Sequence, residues 1–417
     1  MTPLPYRVLL PLLAALAATV IWLGLRQPAP EPVRLGVVHA LSGVMADSES
    51  RLVEALQLAA EELNAAGGVL GRPLELVVVD SRSDATHAAQ EAERLIRQEG
   101  VQALFGCWTS VCRKAVLPVV ERHRSLLFYP LQYEGMEQSE HIVYLGAAPN
   151  QQIIPGARWA MERFGRRIYL VGSDYVFPRT ANRLIRDLAR AGDGEVVAER
   201  YLPLAATDFD ALVEDIRKTR PDVVLNTING VGNRHFFNAL AQAGLGELPV
   251  VSFSVAEPEL RMIGEAAQHP AHHAVWGYFQ SLPGEANARF VARLRQRFGA
   301  DRVSSDPVVS SHTGLMLWAA AARRAGTTDP GQVSRSVAHT SLSGPAGIVA
   351  VDSTTRHAWR RVFVGHARPD GQFDATEISE TAIRPAPFPP YHSRAYWLRL
   401  VAGMAASHPA DERSARQ

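Results

Sequence analysis

From Val33 onward the chain keeps changing its period. Short runs rich in Val, Leu and Ile, at 33–39, 74–80, 103–105, 126–129, 168–172, 223–227 and 250–253, alternate with stretches of helical spacing at 52–63, 88–96, 181–188, 212–216 and 236–243. Strands separated by helices pair in parallel, because only a crossover of a dozen or more residues brings the chain back to the same sheet edge. Helices then cover both faces of the sheet. The expected fold class is α/β, with doubly wound parallel sheets. The texture changes near 147–150, so a first block over 33–145 and a second over 168–278 each build a sheet. Helical patterns at 286–298 and 308–325 follow, then strands at 348–351 and 362–365.

Composition narrows the function classes. The chain has 417 residues, 47% of them hydrophobic, which is enough to bury two cores. Its 43 Lys and Arg against 42 Asp and Glu give a net charge of +1, without the basic stripe of a nucleic-acid binder. Two cysteines exclude a disulfide scaffold and a Cys-rich metal domain. Cys107 is expected to end a strand and Cys112 to open the next helix; that spacing argues against a bridge and for two buried thiols. His269, His272 and His273 lack a nearby carboxylate and read as a loop ahead of a strand. There is no Walker loop, no Gly-x-Ser-x-Gly elbow and no dinucleotide fingerprint, and no nucleophile–base spacing, so neither an enzyme nor a cofactor is expected. Residues 8–25 are apolar and uncharged behind Arg7, as in an export signal or an N-terminal anchor held in the inner membrane. A periplasmic location is expected.

In an open parallel sheet, ligands bind beyond the carboxyl ends of the strands. The residues there are informative: Gly106-Cys107-Trp108-Thr109-Ser110, Tyr129-Pro130-Leu131-Gln132-Tyr133-Glu134-Gly135, Gly172-Ser173-Asp174-Tyr175, Thr227-Ile228-Asn229-Gly230 and Ser252-Phe253-Ser254-Val255-Ala256-Glu257. Aromatic rings give rigid walls with polar tips. Short polar residues and helix-opening N–H groups give hydrogen bonds, with Ser110 expected as a helix cap. Together these edges describe a pocket for a small polar molecule.

The phrases GCWTS, RKAVLPV, LLFYP followed by QYEG, APNQQI, VGSDYVFPRTAN and SVAE closely resemble the urea-binding proteins of bacterial ABC importers, over about 33–373. A related pattern belongs to the amide-sensing regulator of aliphatic amidase expression. The resemblance implies the type I periplasmic-binding-protein fold, two lobes joined by three crossovers. Lobe one would be 33–148 plus 279–343, and lobe two 149–278 plus 344–385. Residues 1–32 would be the signal or anchor, and 386–417 a partly disordered tail. It places Trp108, Ser110, Tyr129, Leu131 and Gln132 on the pocket wall of lobe one, and Asp174, Tyr175, Asn229 and Glu257 on that of lobe two. It implies capture of a small neutral ligand, urea or a short-chain amide, and delivery to the permease subunits of an ABC importer. The alternative is a periplasmic or membrane-anchored amide-sensing receptor.

Overall fold

The computed structural model describes residues 30–407; the apolar run at 8–25 and the end of the tail lie outside the described residues. The first sheet is laid down by β1 (Val33–His39), α1 (Ala46–Ala65), β2 (Leu74–Asp80), α2 (Ala85–Arg97), β3 (Leu104–Gly106), α3 (Ser110–Arg122), β4 (Leu127–Tyr129) and β5 (Ile142–Tyr144). Its order is β2-β1-β3-β4-β5, parallel throughout. β1 is central and nearly all buried, so it reads as a continuous apolar run, whereas edge strand β2 is half-exposed.

The second sheet begins with α4 (Ile153–Phe164) and β6 (Arg167–Ser173), then α5 (Val176–Ala191), β7 (Glu195–Leu202), α6 (Asp210–Thr219), β8 (Val223–Thr227) and α7 (Gly232–Gln242). β9 (Val250–Ser252), α8 (Glu257–Ile263) and β10 (His272–Trp276) complete this run. The chain then returns to the first lobe as α9 (Glu285–Phe298), α10 (Asp306–Ala325) and α11 (Pro330–Val337), with α10 packed on α1. A hairpin of β11 (Ser341–Gly344) and β12 (Gly347–Ala350) follows, then β13 (Phe363–Ala367), β14 (Phe373–Glu377) and α12 (Arg394–Ser407). The second sheet has the order β14-β13-β10-β9-β8-β6-β7, with β13 and β14 added antiparallel at one edge. The α/β fold with two doubly wound parallel-sheet lobes is therefore as expected.

Three findings differ from the sequence reading. His272 and His273 lie within β10 and not in a loop, and burial pushes both imidazoles down to about 4, so they pack as neutral rings. The β11–β12 hairpin and the residues up to His357 pack on the first lobe: Val351 lies in that lobe's core and Tyr144 bridges His357. The chain thus passes into the second lobe near Arg360, later than Gly344. The tail forms α12, whose Trp397 is fully buried against the second lobe and donates its indole N–H to Pro389 O at 2.9 Å.

The three passages between the lobes meet at one ion pair, Asp306 with Arg360. Asp306, at the start of α10, accepts from Gly277 N at 2.7 Å and from Arg360 Nη2. Arg360 Nη1 in turn donates to Leu145 O and to Ser310 Oγ.

Candidate functional site

The lobe-one wall begins where β3 stops. Gly106 has φ +159°, and a Cβ there would stand 2.1 Å from Val38 O, so only glycine lets this strand end lie against β1. Cys107 follows in the left-handed region, φ +63°, its N–H bonded to Val38 O at 2.9 Å. That turn brings its Cα to 5.5 Å from Cys112, and the two form a disulfide. The expected pair of free thiols is thereby corrected: a strand-to-helix junction built from regular dihedrals separates the two sulfurs, whereas a left-handed residue between the elements folds the chain back. Thr109, not Ser110, caps α3, its Oγ1 accepting from Cys112 N at 3.2 Å.

With its capping duty taken over, Ser110 is drawn into a buried ionic cluster. Its hydroxyl donates to Glu134 Oε2 in a short bond and accepts from Arg113 Nη1 at 3.0 Å. Arg113, fully buried, also donates to Glu134 Oε1 at 3.0 Å and Glu137 Oε1 at 2.7 Å, and lies over the Tyr129 and Tyr133 rings. Lys114 adds a bond of 3.0 Å to Glu137. Burial alone would raise the Glu137 carboxyl, but Arg113 and Lys114 outweigh it and hold it down to about 2. Two cations thus face two carboxylates, and the cluster has no charge to spare for a ligand. Behind it, burial pushes His357 down to about 3, and its Nδ1–H donates to Thr355 O at 2.6 Å. Its Nε2 is then an acceptor for the Tyr133 hydroxyl.

The expected aromatic and amide residues sit at two depths. Tyr129 is fully buried in the first lobe's core and donates its hydroxyl to Trp108 O at 2.7 Å; burial raises its phenol and keeps it protonated. Leu131 is packed in the same core. Trp108 and Gln132 reach across the cleft. The Trp108 indole N–H donates to Asn229 Oδ1 at 3.3 Å, and Gln132 Nε2 donates to Phe253 O at 3.0 Å and Ser254 Oγ at 3.2 Å.

On the second lobe, Asn229 follows β8 and its N–H is held by Ser173 Oγ at 3.1 Å. Tyr175 precedes α5, buried within that lobe's core. Asp174 beside it is half-buried and bonded to Arg179. Glu257 opens α8 behind a different strand; its Oε1 accepts from Gln280 N at 2.7 Å, and Oε2, equally buried, has no hydrogen-bond partner in the protein. Burial first, and the nearby Glu259 and Asp306 carboxylates second, push it up to about 8. The structure thus joins Trp108, Tyr129 and Asn229 in one chain of bonds and Gln132 to the Phe253–Ser254 edge, while Glu257 stands nearer the passages.

Three functional candidates escaped the sequence reading although they lie in or beside the informative phrases. Glu134 and Arg113 fix the Ser110 hydroxyl. Gln152 Nε2 donates to Phe253 O at 3.2 Å and Val275 O at 2.6 Å, and its Oε1, like that of Gln132, is a buried acceptor without a protein partner. The lobes also touch at the cleft mouth, where Ser48 Oγ donates to Glu259 Oε1 at 2.7 Å and Gly230 lies against Met45. The lobes are therefore closed on each other, and every expected site residue except Asp174 is buried.

Two doubly wound lobes, joined by three passages and shut on a buried polar cleft, define a bilobal solute-binding protein. The chain belongs to the periplasmic binding protein domain family, which matches residues 33–394, and membership implies a periplasmic location. Among curated proteins it is 23% identical over 358 residues to Leu/Ile/Val-binding protein homolog 6 of Brucella melitensis, covering 83% of this chain and 90% of that one. Among solved structures, a solute-binding protein of an ABC transporter from R. palustris, in complex with 4-hydroxybenzoate, superposes with a TM-score of 0.75 at 23% identity, covering 85% and 98% of the two chains. The branched-chain amino acid transporter substrate-binding protein of Streptococcus pneumoniae, in complex with isoleucine, gives 0.74 at 20%, covering 84% and 99%. Among the described residues no helix is long and apolar enough to cross a membrane, and no group of residues could hold a metal ion.

Proposed function

We propose that the protein captures a small neutral ligand, urea or a short-chain amide, between its lobes and delivers it to the permease subunits of an ABC importer. The observation that carries the neutral reading is the charge balance of the cleft. Arg113, which bonds Ser110 and lies over the Tyr129 ring, is matched by Glu134 and Glu137. A ligand carboxylate buried beside it would find no uncompensated cation, and an unpaired buried charge is costly. The Ser110 proton is committed to Glu134, so the ligand carbonyl takes its hydrogen bond elsewhere. Glu257 is suited to this: held neutral at pH 7, it offers an O–H at Oε2. Gln132 and Gln152 offer carbonyl oxygens to the NH₂ groups. The body formed by 33–148 and 279–359 moves against 149–278 and the chain from Arg360, and Asp174 and Tyr175 complete the second wall.

A second reading, an amino acid ligand, is favoured by the same Glu257 oxygen, which as a carboxylate would accept an ammonium. The pH dependence of affinity separates the two. A neutral amide needs the protonated acid, so its affinity is flat below pH 8 and falls above it. An ammonium needs the carboxylate, so its affinity rises with pH and flattens above about 8. Calorimetry with acetamide, urea and leucine at pH 6, 7, 8 and 9 is the test. Leucine binding that strengthens with pH, with none for urea or acetamide, overturns the amide reading.

A further inference from the structure

We propose that the Cys107–Cys112 disulfide is a positioning element of the ligand cleft, holding the turn that carries Trp108 and Ser110 rather than stabilising the fold as a whole. The proposal rests on the reading of the interlobe cleft as the ligand site. The two cysteines are five residues apart and both are buried. The entropy a cross-link removes from the unfolded chain grows with the logarithm of the loop it closes, so a loop this short gives the least global return. What it does fix is local. Between the sulfurs lie Trp108, whose indole bonds Asn229 across the cleft, and Ser110, whose hydroxyl bonds Glu134. Cys107 sits in the left-handed region that a non-glycine residue leaves readily when unrestrained.

Three other ties converge on the same turn: Val38 O on Cys107 N, the Thr109 cap on Cys112 N, and the Tyr129 hydroxyl on Trp108 O. These anchor its backbone from β1, α3 and β4. None of them fixes the rotation of the Cys107 peptide, the torsion that sets the direction in which Trp108 leaves the sheet. The bridge supplies that restraint. Cleaving it leaves the turn in place and frees the indole from Asn229.

The test compares oxidised wild type, Cys107→Ala/Cys112→Ala, and wild type reduced with dithiothreitol and then reoxidised. Because the chain has seven tryptophans, each measurement is repeated on a Trp108→Phe background to isolate the Trp108 signal. Loss of the bridge is expected to red-shift the Trp108 emission and to raise its acrylamide quenching at least twofold, with reversal on reoxidation. Affinity for acetamide or urea should fall about tenfold while the thermal midpoint of the ligand-free protein drops by only a few degrees. An unchanged Trp108 signal overturns the proposal, and so does a collapse of the midpoint in both the double variant and the reduced wild type. If oxidised wild type binds neither amide, the ligand reading fails on its own, and the Trp108 signal still decides the role of the bridge.

Discussion

Glu257 shows what burial does to a single side chain. Its carboxyl is neutral at pH 7 in the folded protein, pushed up to about 8, while the unfolded chain releases the proton in the ordinary carboxyl range. Glu257 therefore contributes stability that is lost as pH climbs through those limits and levels off above about 8, while buried His272, His273 and His357 act in the opposite sense below the ordinary imidazole range. Glu257→Gln, a neutral isostere, should remove that contribution, and the difference between guanidinium chloride melts of the two proteins from pH 5 to 9 would show it. Amide affinity should stay within a few-fold in the same variant and lose its pH dependence. Arg113 presents the opposite case. Replacing it by Met leaves buried Glu134 and Glu137 with Lys114 as their one remaining cation among the described residues, and an expected loss of about 3–5 kcal/mol in denaturant unfolding follows. Tyr129 is more tightly packed than a pocket wall, with Arg113 over its ring. Tyr129→Ala should thus cost stability as well as affinity. Tyr129→Phe, which removes only the bond to Trp108 O, should cost about 1 kcal/mol and leave the core intact.

The elements most legible in the sequence are strands written as unbroken apolar runs, whether interior like β1 and β8 or at an edge like β2. The expected bounds of β1, β2 and β8 coincide with the structure, because a run of Val, Leu and Ile between turns leaves few alternatives. β7 escapes the sequence reading: Glu195–Leu202 is an edge strand whose Glu195 and Arg200 face solvent, and its charged residues break the apolar run. β10 was misread because two histidines open it, and their burial as neutral rings depends on neighbours in space. α12 was read as tail, since its helical pattern has no cap and follows a Pro-rich stretch. Its anchor is nonetheless firm, and Trp397→Ala should cost about 3–5 kcal/mol if the helix is an integral part of the second lobe. A melting midpoint equal to wild type would show that it is an appendage. At the site, the phrases mark the strand ends that face the cleft but not the partners of each side chain. Whether Ser110 caps a helix or bonds Glu134 turns on the left-handed Cys107, a torsion that residue spacing does not encode.

At the scale of the molecule, lobe closure is recorded by contacts that an open form cannot make. Gly230 has φ +62°, and a Cβ there would stand 2.9 Å from Met45 Sδ and 3.0 Å from Val44 O on the other lobe. Gly230→Ala should weaken closure, giving a larger radius of gyration by X-ray scattering at saturating ligand and a stability loss of about 1–2 kcal/mol from the left-handed alanine. A scattering profile identical to wild type would mean that the mouth closes without this contact.

The meeting of all three passages on Asp306 and Arg360 has a mechanical consequence. Three strands of chain tied at one knot cannot slide or shear independently, so the lobes are left with rotation about a single pivot. The mouth, where Gly230 meets Met45, lies away from the knot, so a small angular change at the pivot becomes a larger displacement there. A door hung this way has its stiffness set at the pivot and its selectivity at the edge, so the two can be altered by separate mutations.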